Sequence, residues 1–171
     1  YPHKFHVGEL GLDCRYCHSF VEVSSEANVP PTSTCWNCHE HIDKNSSDLA
    51  LLEKKHKDKE SIEWVKVHML PDYAYFNHSV HLNANIGCTS CHGRVDQMEK
   101  VEQVEPLSMS WCLDCHRNPE EHIRPEGVSV TDMAWEKPKQ LDQLEAHDDF
   151  LEKFINGNNI VPPQDCSACH R

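Results

Sequence analysis

The 171-residue chain carries a formal net charge of −12, and 38% of its residues are hydrophobic at a mean hydropathy of −0.67. That acidity argues against nucleic acid as a partner, and no run approaches the ~20 apolar residues of a membrane span. The apolar supply is thin for this length, so either the fold is loose or something other than side chains fills the interior.

The chain opens on "YPHKFHVGELGLDCRYCH": an aromatic residue, His3 and His6, then Cys14, Cys17 and His18. Pro30 and Pro31 precede Cys35, Cys38 and His39. Residues 45–59 read as a helix, with Ser and Asp at a cap-like entry and a charged outer face. His56, in "EKKHKDKE", is expected on the solvated side. The apolar segment "WVKVHMLPDY" holds His68, ten residues before His78. "FNHSVHLNANIGCTSCH" follows, with His78, His81, Cys88, Cys91 and His92. Met109 lies three residues ahead of Cys112, Cys115 and His116. Residues 138–156 read as a second helix, with Leu141, Leu144, Phe150, Leu151 and Phe154 on near-helical spacing and Gly157 as its stop. His147 is expected to be solvated there. Pro162 and Pro163 lead to Cys166, Cys169 and His170. Prolines at 71, 106, 119 and 125 rule out long regular elements in between.

All ten cysteines thus fall into five Cys-x-x-Cys pairs, each followed at once by His, and none is left for a disulfide. Cys-x-x-Cys-His is the c-type haem attachment pattern. Two thiols add across the two vinyl groups of one porphyrin, and the adjacent imidazole becomes the proximal iron ligand. Paired Cys-x-x-Cys units also make zinc sites, but zinc does not demand His directly after the second Cys. With 14 histidines in 171 residues, five out of five is not coincidence. A redox dithiol would need a βαβ context that is not visible here. The expectation is five covalently bound haem c groups replacing much of the missing core. The fold expected is mainly α, with short helices, much irregular structure and few strands, wrapped around those haems.

The chain also repeats itself. His3 to His78 and His6 to His81 are each 75 residues, Cys14 to Cys88 is 74, and Cys35 to Cys112 is 77. Four landmarks in register indicate an internal duplication. We expect a first dihaem module over 1–66, a second over 67–130, and a C-terminal helix with the fifth motif over 131–171.

The His-x-x-His units resemble those of the class III cytochromes of the c3 and c7 type. That resemblance implies that the first histidine of each unit caps the haem just downstream and the second caps another. His3 would then serve Cys14/Cys17, His6 would serve Cys35/Cys38, His78 would serve Cys88/Cys91, and His81 would serve Cys112/Cys115. His68 is a further distal candidate from its apolar setting. Met109 is another, because methionine also ligates haem iron and raises its potential; otherwise it fills a gap in the core. Met98 and Met133 read as core fillers, and His41 and His122 stay open.

Longer segments, among them "NVPPTSTCWNCH", "WVKVHMLPDYAYFNHSVH", "GCTSCHGRVDQMEKVEQVEPLSMSWCLDCHRNP" and "PPQDCSACHR", resemble the pentahaem cytochrome c subunit of alternative complex III. The resemblance spans nearly the whole chain. It implies an electron-transfer subunit at the periplasmic face of the cytoplasmic membrane, beside an iron–sulfur/molybdopterin-like subunit and membrane subunits. It would relay electrons from quinol oxidation to a monohaem cytochrome c or a terminal oxidase, with no catalytic site of its own. That family usually has an N-terminal membrane helix. The present sequence starts at Tyr1 rather than Met, so a processed or partial chain is expected and an upstream anchor stays open. A free periplasmic carrier is the main alternative. A multihaem nitrite reductase fits less well, because it needs an open iron position and often a proximal lysine. A reaction-centre cytochrome is a weaker alternative.

Overall fold

The computed structural model describes residues 1–43, 45–136, 141–158 and 160–170, with the side chains of the third stretch from His147 onward. The described elements are short helices joined by irregular chain. In order they are a π-helical turn Lys4–Glu9, α1 (Cys14–Cys17), α2 (Thr32–His39), α3 (Ala50–Lys57), α4 (His78–Asn83), α5 (Thr89–His92), α6 (Met109–Arg117), α7 (Leu141–Asn158) and α8 (Cys166–Cys169). 3₁₀ turns lie at Ser47–Leu49, Val95–Gln97 and Pro119–Glu121. Extended pairing among the described residues is limited to two isolated antiparallel bridges, Ala74 with His170 and Ile86 with Ile123. The fold is mainly helical with little strand, as the proline spacing predicts. No described helix is long and apolar enough to cross a membrane.

Capping explains where the motif helices begin. Asp13 accepts from the Arg15 amide at 2.8 Å and opens α1. Asn77 accepts from Ser79 at 2.9 Å and opens α4. Ser108 accepts from Trp111 at 3.3 Å and opens α6, and Asp165 accepts from Ala168 at 3.1 Å and opens α8. Each satisfies an amide that the first helical turn leaves without a partner. Pro31, which needs no amide partner, opens α2.

The side-chain core is small. Ile86, Ile123 and Leu151 are buried together, with Ala84, Phe150, Phe154 and Ile155 packed against them. Here α7 docks on the chain between α4 and α5, and on the 123 segment, which donates from the Arg124 amide to the Asn85 carbonyl at 3.0 Å. Gly157 lies inside α7 rather than after it, so this glycine does not end the helix. Pro138, the expected entry of that helix, lies outside the described residues, as do the side chains of Leu141 and Leu144.

Beside this cluster Arg124 is fully buried. Its guanidinium donates to the Ser129 carbonyl and, at 2.8 Å, to the Thr89 hydroxyl, and lies 5.1 Å from the centre of the Trp135 ring. A β-carbon at Gly87 would collide with that guanidinium. Glycine therefore lets the cation pass directly behind Cys88, and Arg124 fixes the entry to α5.

Candidate functional site

In each described Cys-x-x-Cys-His motif the three side chains share one helical turn. The His18 amide donates to the Cys14 carbonyl at 2.9 Å, His92 to Cys88 at 3.0 Å and His170 to Cys166 at 2.9 Å. Positions i, i+3 and i+4 of a helix lie on one face. Both thiols and the imidazole therefore present together, as attachment to one porphyrin requires. All ten cysteines are free thiols.

The histidines are prepared as metal ligands by main-chain carbonyls. Nδ1 of His18 donates to Asn28 O at 2.7 Å, His39 to Ile42 O at 3.2 Å, His116 to Pro163 O at 2.6 Å and His170 to Tyr73 O at 3.2 Å. The same bond forms from His6 to Pro2 O at 3.0 Å, His78 to Ser25 O at 2.8 Å and His81 to Asn77 O at 2.7 Å. A carbonyl only accepts, so Nδ1 carries the proton in all seven. Nε2 is then left with its lone pair, and the ring orientation is set.

The spacing of opposed rings is equally specific. Two imidazoles trans on one metal, each bonded at about 2 Å with about 1 Å more to its ring centre, sit with centroids roughly 6 Å apart. His6 and His39 are 6.2 Å apart, His78 and His92 6.4 Å, and His81 and His116 6.1 Å. Each pair joins a His-x-x-His histidine to the histidine of the motif that the c3/c7 resemblance implies for it. His3 lies by His18, whose charge, after burial, helps push His3 down to about 4. Burial likewise holds His92 at about 4, helped by the charges of His68, His78, His18 and His3. Both imidazoles are therefore neutral, the form that ligates.

The two His-x-x-His units share one ring arrangement. Tyr1 stacks on His6 at 4.4 Å and meets His3 edge-on at 4.8 Å. Phe76 stacks on His81 at 4.4 Å and meets His78 edge-on at 4.8 Å. The aromatic residue that heads each unit thus wedges its two imidazoles apart.

The motifs form a line that does not follow the sequence. Tyr1, hydrogen-bonded to the Cys17 thiol, also lies against Cys35, joining motif 2 to motif 1. The Cys14 and Cys88 side chains lie beside each other, joining motif 1 to motif 3. Cys91, pushed up to about 12 by burial and then by Cys115 and Cys112, joins motif 3 to motif 4. Cys112 neighbours Cys169, and Gln164 donates to the His116 carbonyl at 3.4 Å, joining motif 4 to motif 5. The order is 2–1–3–4–5.

The remaining candidates fall elsewhere. His68 lies on His92, with its Nε2 3.3 Å from His92 Nδ1. Met109 begins α6 and is 66% exposed. Met133 is buried, as its reading as a core filler implies, and the Met98 carbonyl accepts from the Lys4 amide. His41 is exposed beside Glu40, and His122 closes the 3₁₀ turn at Pro119–Glu121. Two histidines differ from their solvated reading. His56 stacks on Trp36 at 4.9 Å, because the helix face that carries it packs on α2. His147 is 3% exposed, between Trp135 and Phe150, because α7 turns that face toward the cluster. The sequence reading also missed Arg124 and the carbonyl acceptors. Gly87 beside Cys88 was the only local sign of the first.

These residues fit covalent haem c. The thiols are free, the imidazoles present Nε2, and the opposed rings stand one metal apart. Among the described residues no three His, Cys, Asp or Glu side chains converge as a zinc site requires. The arrangement defines a multihaem c-type cytochrome. Residues 74–171, more than half of the chain and three of its motifs, match the family of cytochrome c7 and related cytochrome c, and the chain belongs to that family. It is also similar to the menaquinone reductase, multiheme cytochrome c subunit, of Nitratidesulfovibrio vulgaris (strain Hildenborough), at 31% identity over 93 residues. That alignment covers 54% of this chain and 43% of the relative, so the chain spans less than half the relative's length.

Proposed function

We propose that the chain carries five haem c groups and conducts electrons as the cytochrome subunit of a membrane quinol-oxidising complex of the alternative complex III kind. The observation that carries this reading is the line of motifs, with three histidine pairs 6.1–6.4 Å apart along it. Bound haem supplies one-electron chemistry. The polypeptide supplies the rest: thioether anchors, paired imidazoles that keep small molecules off the metal, and fixed spacing from one motif to the next. His3, His6, His78 and His81 act as distal ligands to motifs 1, 2, 3 and 4. No acid, base or nucleophile is required, so the chain has no catalytic site of its own. Motifs 2 and 5, at the ends of the line, are where electrons enter and leave.

The relative's name ties that protein to a quinone-linked complex, which supports placing this chain in one. Its partners would be an iron–sulfur/molybdopterin-like subunit and membrane subunits on one side, and a monohaem cytochrome c or a terminal oxidase on the other. The location would be the periplasmic face of the bacterial cytoplasmic membrane. A free periplasmic carrier is the second reading, favoured by the net charge of −12. Native membranes solubilised gently, run on a native gel and stained for haem separate the two. Migration in a large band with quinol:acceptor activity is expected. A small haem-staining species that remains alone would refute the complex.

A further inference from the structure

We propose that His68 is a positioning residue that orients and polarises His92, not an iron ligand. The inference rests on the haem-binding reading of motif 3 and adds a residue to it. Four of the five motif histidines donate Nδ1–H to a main-chain carbonyl: His18, His39, His116 and His170. His92 instead meets Nε2 of His68 at 3.3 Å. When His92 ligates through Nε2, its Nδ1 must carry the proton. His68 Nε2 is then the acceptor, and the His68 proton resides on Nδ1.

The ring geometry does not suit a trans pair of ligands on one metal. The His68 and His92 centroids are 4.5 Å apart at 77° between planes, whereas trans ligands need roughly 6 Å. The position opposite His92 is filled by His78, 6.4 Å away and parallel within 6°. The Nε2 by which the other histidines reach metal is, in His68, committed to His92.

An imidazole nitrogen is a stronger acceptor than an amide oxygen. It draws the Nδ1 proton further and leaves more electron density on the His92 ring. A more basic axial ligand favours the oxidised iron. His68 therefore lowers the potential at motif 3, the middle of the line, relative to what a carbonyl partner would give.

The test uses the full haem-loaded chain with His68→Leu and His68→Gln, an optical potentiometric titration and low-temperature EPR. In His68→Leu every low-spin signal should persist while one midpoint moves positive and the others hold. His68→Gln, whose amide oxygen restores an acceptor, should bring that midpoint back toward wild type. A new high-spin, carbon-monoxide-binding iron in His68→Leu would make His68 an axial ligand and overturn the proposal. Equal shifts in both variants, or no shift in either, would overturn it as well. Haem per chain, measured as the alkaline pyridine adduct, tests the five-haem reading separately.

Discussion

Asp13 holds motif 1 with one carboxylate. It caps α1, binds the Arg15 guanidinium at 2.8 Å, and accepts from Thr131 Oγ1 at 2.9 Å across 118 positions of sequence. These bonds, first the one from Arg15, hold its carboxyl well below the ordinary 3.8. Asp13→Ala should lower stability by about 1 kcal/mol, the usual worth of an N-cap, in thermal melts near neutral pH. The sign with pH follows from the depressed value. Protonation favours the unfolded chain, so the contribution is complete above pH 4 and fades as pH falls below it. The gap between wild type and variant should close there; a gap that widened in acid would refute the assignment. The candidate ligating residues were marked in the sequence, because Cys and His carry their chemistry in the side chain and in fixed spacing. The acceptors that orient them were not, since Asn28, Ile42, Pro163 and Tyr73 act through carbonyls that any residue supplies. His56 and His147 misled for a related reason. A charged neighbourhood in sequence says nothing of which helix face will be covered.

At the scale of elements, the same imidazole arrangement is built on a π-helical turn at Lys4–Glu9 and on an α-helix at His78–Asn83. The correspondence of the two units was marked by a period of about 75 with four landmarks in register. The difference in helix type was not, because it depends on tertiary contact. The first turn packs on the 3₁₀ turn at Val95–Gln97, so closely that a β-carbon at Gly8 would strike the Asp96 carbonyl. Within α4, His78 and His81 face His92 and His116, two different motifs. His78→Ala and His81→Ala should therefore each convert a different iron from low to high spin, resolved by EPR or by separate midpoints. Loss of the same signal in both would mean that α4 serves one motif.

Across the whole molecule, local pattern gave the motifs, and the c3/c7 resemblance implied a pairing within each unit, but neither told which units touch. The order 2–1–3–4–5 is fixed by contacts remote in sequence: Thr131 on Asp13, His78 on Ser25, and His116 on Pro163. Replacing both cysteines of motif 3, Cys88→Ala with Cys91→Ala, should leave a fast and a slow population when the protein is reduced from one end in stopped flow. The same change at motif 5, Cys166→Ala with Cys169→Ala, should leave one connected population. Similar biphasic traces from both would contradict the linear order.

The Cys14–Cys88 contact lies where the two similar His-x-x-His and Cys-x-x-Cys-His units meet. The proposed row of relays has no bypass, so the seam between the two similar units would also be a single point of failure. Divergence is free to rework the two outer ends toward new neighbours, while the mutual face of the units must drift in concert or the circuit opens.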